Sequence, residues 1–154
     1  LALAALIVTV SGVTGSAMYY SSVGDHLLQV SGVCTSIRIY DVECSYSSPQ
    51  GVFMAQSDID ICGNDRDCVA GIVAHELGHI RFDDVNRTAE GTWEESRADK
   101  YSARLMTKAG YNCRGLADFL GRVKQREGDV YGPNHPKMSV RIQAINEECT
   151  RLGQ

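Results

Sequence analysis

The sequence predicts an α+β fold: a small N-terminal β-sheet or hairpin packed on about four helices. Three observations predict it. Short β-branched and aromatic stretches occupy residues 36–59 and are divided by a Pro-Gln-Gly turn at 49–51. From about Asp67 onward the apolar residues recur at helical spacing instead. Gly110 and the segment 128–136 then divide the second half into separate helical stripes. Strands first and helices after is the pattern of an α+β arrangement.

Taken in order, Ser36 to Val42 (SIRIYDV) reads as one strand, and Gly51 to Ile59 (GVFMAQSDI) as a second. The set Val69, Ile72, Val73, Leu77 and Ile80 marks an amphipathic helix that ends near Phe82. Asp83 and Asp84 would be unfavourable at the negative end of a helix dipole, which supports a stop there. Thr92 reads as the cap of the next helix, with Glu94 and Glu95 in its first turn. Ala98, Tyr101, Leu105, Met106 and Ala109 run along one side of that helix up to Gly110. Leu116, Phe119, Leu120 and Val123 form a further stripe, and Met138, Ile142, Ile145 and Cys149 a last one. These stripes are core faces.

The chain has 154 residues, is 44% hydrophobic and 22% charged, and carries a net charge of −4, which suits one folded domain. Lys and Arg are scattered, so no nucleic-acid footprint or polybasic membrane patch is expected. The opening LALAALIVTV is apolar, small residues follow it, and no charge precedes Asp25. Residues 1–24 are therefore expected to be a signal-peptide remnant with cleavage after Ala17, or else a retained N-terminal anchor; residues 25–154 form the domain. The apolar run is shorter than the roughly 20 residues that span a bilayer, which favours the signal. Membrane contact is expected only through this segment, if it is retained.

Six cysteines without a CxxC agree with export to an oxidising compartment, whether secreted, periplasmic or elsewhere in the cell envelope. The expected pairs are Cys34–Cys44 flanking a possible hairpin, Cys62–Cys68 closing a tight loop, and Cys113–Cys149 joining two antiparallel helices. Six free thiols are the alternative. Asn86-Arg87-Thr88 matches a glycosylation acceptor.

The chemistry centres on His75-Glu-Leu-Gly-His79. Histidines at i and i+4 share one side of a helix and can bring two imidazole nitrogens to one metal ion. Glu76 stands about 100° around the helix, beside such a metal without being a ligand, where it would act as the general base. A catalytic zinc needs a third protein ligand and an open position. Glu95 is the candidate, and Glu94 competes with it. Asp99, one turn after Glu95, is placed to accept a hydrogen bond from the far nitrogen of His75. His135, before Pro136, is placed to stabilise a tetrahedral oxyanion, with Arg141 helping from the same side. His26 has no such context.

HELGH at 75–79, Glu95-Ser-Arg-Ala-Asp99, and His135-Pro136 followed by Arg141-Ile142 resemble the gluzincin metallopeptidases of family 48, the HtpX, CAAX-prenyl-protease and BepA-like group. The resemblance spans roughly residues 51–145 with the three motifs in order. It implies a zincin-like core with one catalytic Zn2+ held by His75, His79 and Glu95. It also implies Glu76 as general base, Asp99 as the group orienting a ligand, and His135 and Arg141 as transition-state stabilisers. The interval between His79 and Glu95 is short for that group, and HtpX-type membrane spans are absent, so the chain looks like a minimal catalytic core. The stretch SPQGVFMAQSDI resembles the group's edge strand, which aligns an extended peptide.

The expected function is therefore a secreted or cell-envelope zinc metalloendopeptidase that hydrolyses peptide bonds with a zinc-activated water. The expected partner is a peptide or protein substrate. The alternative is a non-catalytic or latent peptide-binding module with a structural zinc site.

Overall fold

The computed structural model describes residues 15–86, 91–129 and 135–154, with side chains from residue 22 onward. The architecture is α+β: a small three-stranded sheet followed by several helices. Helix α1 (Gly15–Ser31) comes first, and then β1 (Ile37–Tyr40), β2 (Tyr46–Ser48) and β3 (Gly51–Ala55). The remaining helices are α2 (Gln56–Cys62), α3 (Arg66–Arg81), α4 (Thr92–Lys108), α5 (Gly115–Glu127) and α6 (Met138–Arg151), with a 3-10 turn at Asp84–Asn86 between α3 and α4.

Residues 1–14 of the expected leader lie outside the described residues, as do residues 87–88 of the glycosylation tripeptide. The residue 24/25 boundary falls inside α1. Val23 and Leu27 of that helix are fully buried, and Gly24 lets it close on β1, since a Cβ there would sit 3.1 Å from Ile37 Cδ1.

The sheet departs from a hairpin. Its order is β1-β3-β2, with β1 parallel and β2 antiparallel to β3. Val52 and Met54 of β3 face the core, while Phe53 stacks on Tyr46 at 4.9 Å between centroids on the other face. Two expectations are corrected. First, β3 is the central strand, paired on both sides, so it is not an edge open to a peptide. Second, it stops at Ala55. Residues 56–62 turn into α2, with Asp58 in the first turn and a Gln56 Nε2–Asp60 Oδ1 bond of 2.9 Å across one helical turn.

The same topology overturns the Cys34–Cys44 pairing: both are exposed free thiols. Cys34 precedes β1 at the end of the sheet where β3 begins. Cys44 lies where β3 finishes, since the adjacent Ser45 Oγ accepts from Ala55 N–H at 2.9 Å. At about 3.3 Å per residue, the length of the sheet separates them, well beyond the roughly 7 Å that a disulfide spans between Cα atoms. The other two expected pairs are present. Cys62–Cys68 closes the α2–α3 turn with Cα atoms 5.5 Å apart. Cys113–Cys149 ties the start of α5 to the end of α6 with Cα atoms 5.9 Å apart.

Helix α3 is the centre of the molecule. Asp65 caps it, its Oδ1 accepting from Cys68 N–H at 3.1 Å. Every residue from Cys68 to Gly78 is buried, because α1, the sheet, α4 and α5 all pack around it. The helix is thus enclosed rather than simply amphipathic. Gly71 and Gly115 make the α3–α5 approach possible: a Cβ on Gly71 would overlap the Leu116 backbone, and one on Gly115 would overlap the Asp67 carbonyl. Gly71→Ala is expected to destabilise the fold by about 3 kcal/mol or more, read from urea unfolding. A midpoint equal to that of the parent would show that the helices part freely.

Helix α4 begins one residue earlier than expected in its cap. Gly91 is the N-cap, and Thr92 is already helical and makes no capping bond. Glu94 folds back over this end, with its Oε2 2.7 Å from where a Gly91 Cβ would stand. Farther along, Ser102 Oγ donates to Gly71 O at 2.9 Å and locks α4 onto α3.

Candidate metal centre

The α3–α4 pairing brings His75, His79 and Glu95 to one point. His75 and Glu95 are buried and His79 is partly so, and one donor atom from each lies within 4.8 Å of the others. The two Nε2 atoms are 3.1 Å apart. His79 Nε2 lies 3.2 Å from Glu95 Oε1, and His75 Nε2 lies 3.6 Å from Glu95 Oε2. Ligands at about 2.0–2.1 Å in tetrahedral directions stand roughly 3.3 Å from one another. The observed spacings bracket that value, so the donor set fits a zinc-sized ion. Glu95 Oε2 also accepts no aligned hydrogen bond although it is buried. Glu94, turned toward the helix start, is not part of the group.

Behind the donors stands a layer of charge. His75 Nδ1 is 3.0 Å from Asp99 Oδ1, within ion-pair reach although the N–H is not aligned for a hydrogen bond. Arg141 grips Asp99 with two bonds, Nε to Oδ2 at 2.9 Å and Nη2 to Oδ1 at 2.7 Å. Its Nη1 reaches Glu95 Oε2 at 3.1 Å. His135 Nδ1 lies 3.2 Å from the same oxygen, and 60% of its side chain is exposed. The six-residue step from His135 to Arg141 thus carries both to Glu95. Glu76 is 7% exposed and close enough to raise the pKa of both His79 and Arg141.

The electrostatics follow from this crowding. Burial opposes ionisation of Glu95, but His135, His79, His75 and Arg141 outweigh it and hold the carboxyl far below its usual range. Burial likewise opposes ionisation of Asp99, and His75 and Arg141 overcome it. Burial lowers the His79 pKa, yet Glu95, Glu76 and Asp84 more than reverse this and raise it to about 9. A raised folded-state pKa means that folding favours the imidazolium. In ion-free protein this stabilisation is complete below about pH 6.5 and is lost as pH rises through about 9, on the order of 3 kcal/mol. Urea midpoints with chelator should therefore fall between pH 6 and 9.5. A flat profile would mean that His79 is not held by these carboxylates.

One residue that the sequence reading passed over also reaches the group. Asp84 Oδ2 lies 3.2 Å from His79 Nδ1, and its other oxygen pairs with Arg97. The signal available in the sequence was the second aspartate of the pair that ends α3. His26 lies away from the group, bonded to Ala109 O at 3.0 Å. The open cleft of about 600 Å³ lined by Lys124, Ile142 and Asn146 shares no residue with the donor set.

An α+β core with two histidines of an HExxH helix and a glutamate of the next helix converging on one point has the form of a metallopeptidase centre. Residues 91–149 match the model of peptidase family M48. The match includes Glu95, Asp99, His135 and Arg141, and begins after His75 and His79. No curated protein matches the chain. The two disulfides hint at an oxidising compartment. Among the described residues no helix is long and apolar enough to cross a membrane.

Proposed function

We propose that the chain is a zinc-dependent endopeptidase acting in an oxidising compartment. The observation that carries this reading is the His75–His79–Glu95 triangle, with donor spacings matching tetrahedral zinc and Glu76 beside it. His75, His79 and Glu95 would hold the ion. Bound there, zinc supplies Lewis acidity toward an attacking water and the scissile carbonyl. Glu76 takes a proton from that water and returns it to the leaving amine. Asp99, clamped by Arg141, orients His75. His135, the exposed imidazole of the group, donates to the oxyanion, and Arg141 adds positive charge from behind Glu95. With β3 enclosed, alignment of an extended substrate falls to β2, which pairs only with β3 among the described residues and packs beside α3.

The test is zinc stoichiometry together with cleavage of casein, with and without chelator. One zinc per chain and cleavage abolished by chelation are expected, with recovery on adding zinc back. A chain that holds zinc but cuts nothing supports a non-catalytic module instead.

A further inference from the structure

We propose that Asp84 and Arg97 position His79 for metal binding, an inference that rests on the zinc reading above. An imidazole that ligates through Nε2 must keep its proton on Nδ1, and an acceptor at Nδ1 selects that tautomer and fixes the ring. Asp84 is that acceptor. Its carboxylate is 7% exposed, with Oδ2 3.2 Å from His79 Nδ1.

The backbone is bent to put it there. Asp83 has φ +62, a left-handed conformation uncommon for a residue with a side chain, and the 3-10 turn begins immediately after it. Asp83 thus reverses the chain at the end of α3 and returns Asp84 toward a histidine one turn back.

Arg97 holds the other side of the carboxylate. Its guanidinium pairs with Asp84 Oδ1, and its central carbon lies 4.4 Å from the Phe82 ring centroid and 4.2 Å from that of Trp93. Phe82 closes α3 and Trp93 opens α4. The planar cation is held between the two rings, which restricts where its charge can sit. The centre therefore has two parallel arms. His75 is backed by Asp99 and then Arg141, and His79 is backed by Asp84 and then Arg97. The ExxAD and HP–R motifs carry the first arm. The second is assembled from Asp84, just after α3, and the partly buried Arg97 of α4.

Zinc affinity of the full chain, measured by competition with a chromogenic chelator at fixed pH, tests this. Far-UV circular dichroism serves as the check on folding. Asp84→Ala is expected to weaken zinc binding roughly 10–100-fold. Asp84→Asn keeps an oxygen acceptor and should fall between Asp84→Ala and the parent. Arg97→Ala should weaken binding several-fold, and the Asp84→Ala/Arg97→Ala double variant should bind as Asp84→Ala alone, because Arg97 acts through Asp84. A parent that binds zinc while a folded Asp84→Ala matches it within twofold overturns the proposal. So does a double variant whose loss is the product of the two single losses. If Asp84→Ala does not fold, unchanged affinity in both Asp84→Asn and Arg97→Ala overturns it equally. A parent that takes up no zinc overturns the metal centre itself, and this inference with it.

Discussion

Glu76→Gln is expected to keep its zinc and to lose peptide cleavage, with kcat/KM down roughly 10²–10⁴-fold, the usual share of a general base. Glutamine has the shape of glutamate but cannot take a proton from water. Glu76 stands beside the donor triangle rather than in it, so the three donors are untouched. The substitution removes one negative charge next to His79, which should bring the His79 pKa down from about 9 and ease proton displacement by the metal. Zinc affinity should therefore be unchanged or slightly tighter. Metal content and casein cleavage measured on the same preparation separate the two effects. A variant that cleaves as fast as the parent would remove Glu76 from the chemistry, and one that loses its zinc would make it a ligand.

His79→Ala is expected to have the opposite signature, with bound zinc and activity lost together. One of three donors disappears, and the remaining pair, His75 Nε2 and Glu95 Oε2, are 3.6 Å apart with no third side to the triangle. Equilibrium dialysis should show less than about a tenth of the zinc held by the parent under the same conditions, given the 10–100-fold that even a supporting residue is worth. The same variant should lose the decline in stability between pH 6 and 9.5, because the group that titrates there is gone. Unchanged metal content would sink the ligand assignment. A persistent alkaline decline would assign the titration to another group.

Much of this centre was legible in the sequence because it is built from helices. An i, i+4 pair of histidines faces one way whatever surrounds it, and the four-residue step from Glu95 to Asp99 keeps two carboxylates on one side of α4. The helical stripes were legible for the same reason, as were the Cys62–Cys68 and Cys113–Cys149 pairs. The first of these pairs closes a short turn, and the second joins helices whose stripes demand that they pack together. What failed was the sheet. Strand periodicity read residues 36–42 and 51–59 as extended, overrunning β3 into α2, and it does not say which neighbours the strands choose. The parallel β1–β3 pairing put Cys34 and Cys44 at opposite ends of the sheet and made β3 central.

By itself, then, the sequence determined the local periods of the later helices: where α3 to α6 run, which side chains share one side of each, and which donors could share a metal ion. Only the tertiary structure decided the rest. It enclosed α3 through the contact of Gly71 with α5, turned Glu94 away and Glu95 inward, and used a left-handed Asp83 to return Asp84 to His79. These are questions of how separate elements meet, and short-range periodicity carries no information about distances between residues far apart in the chain.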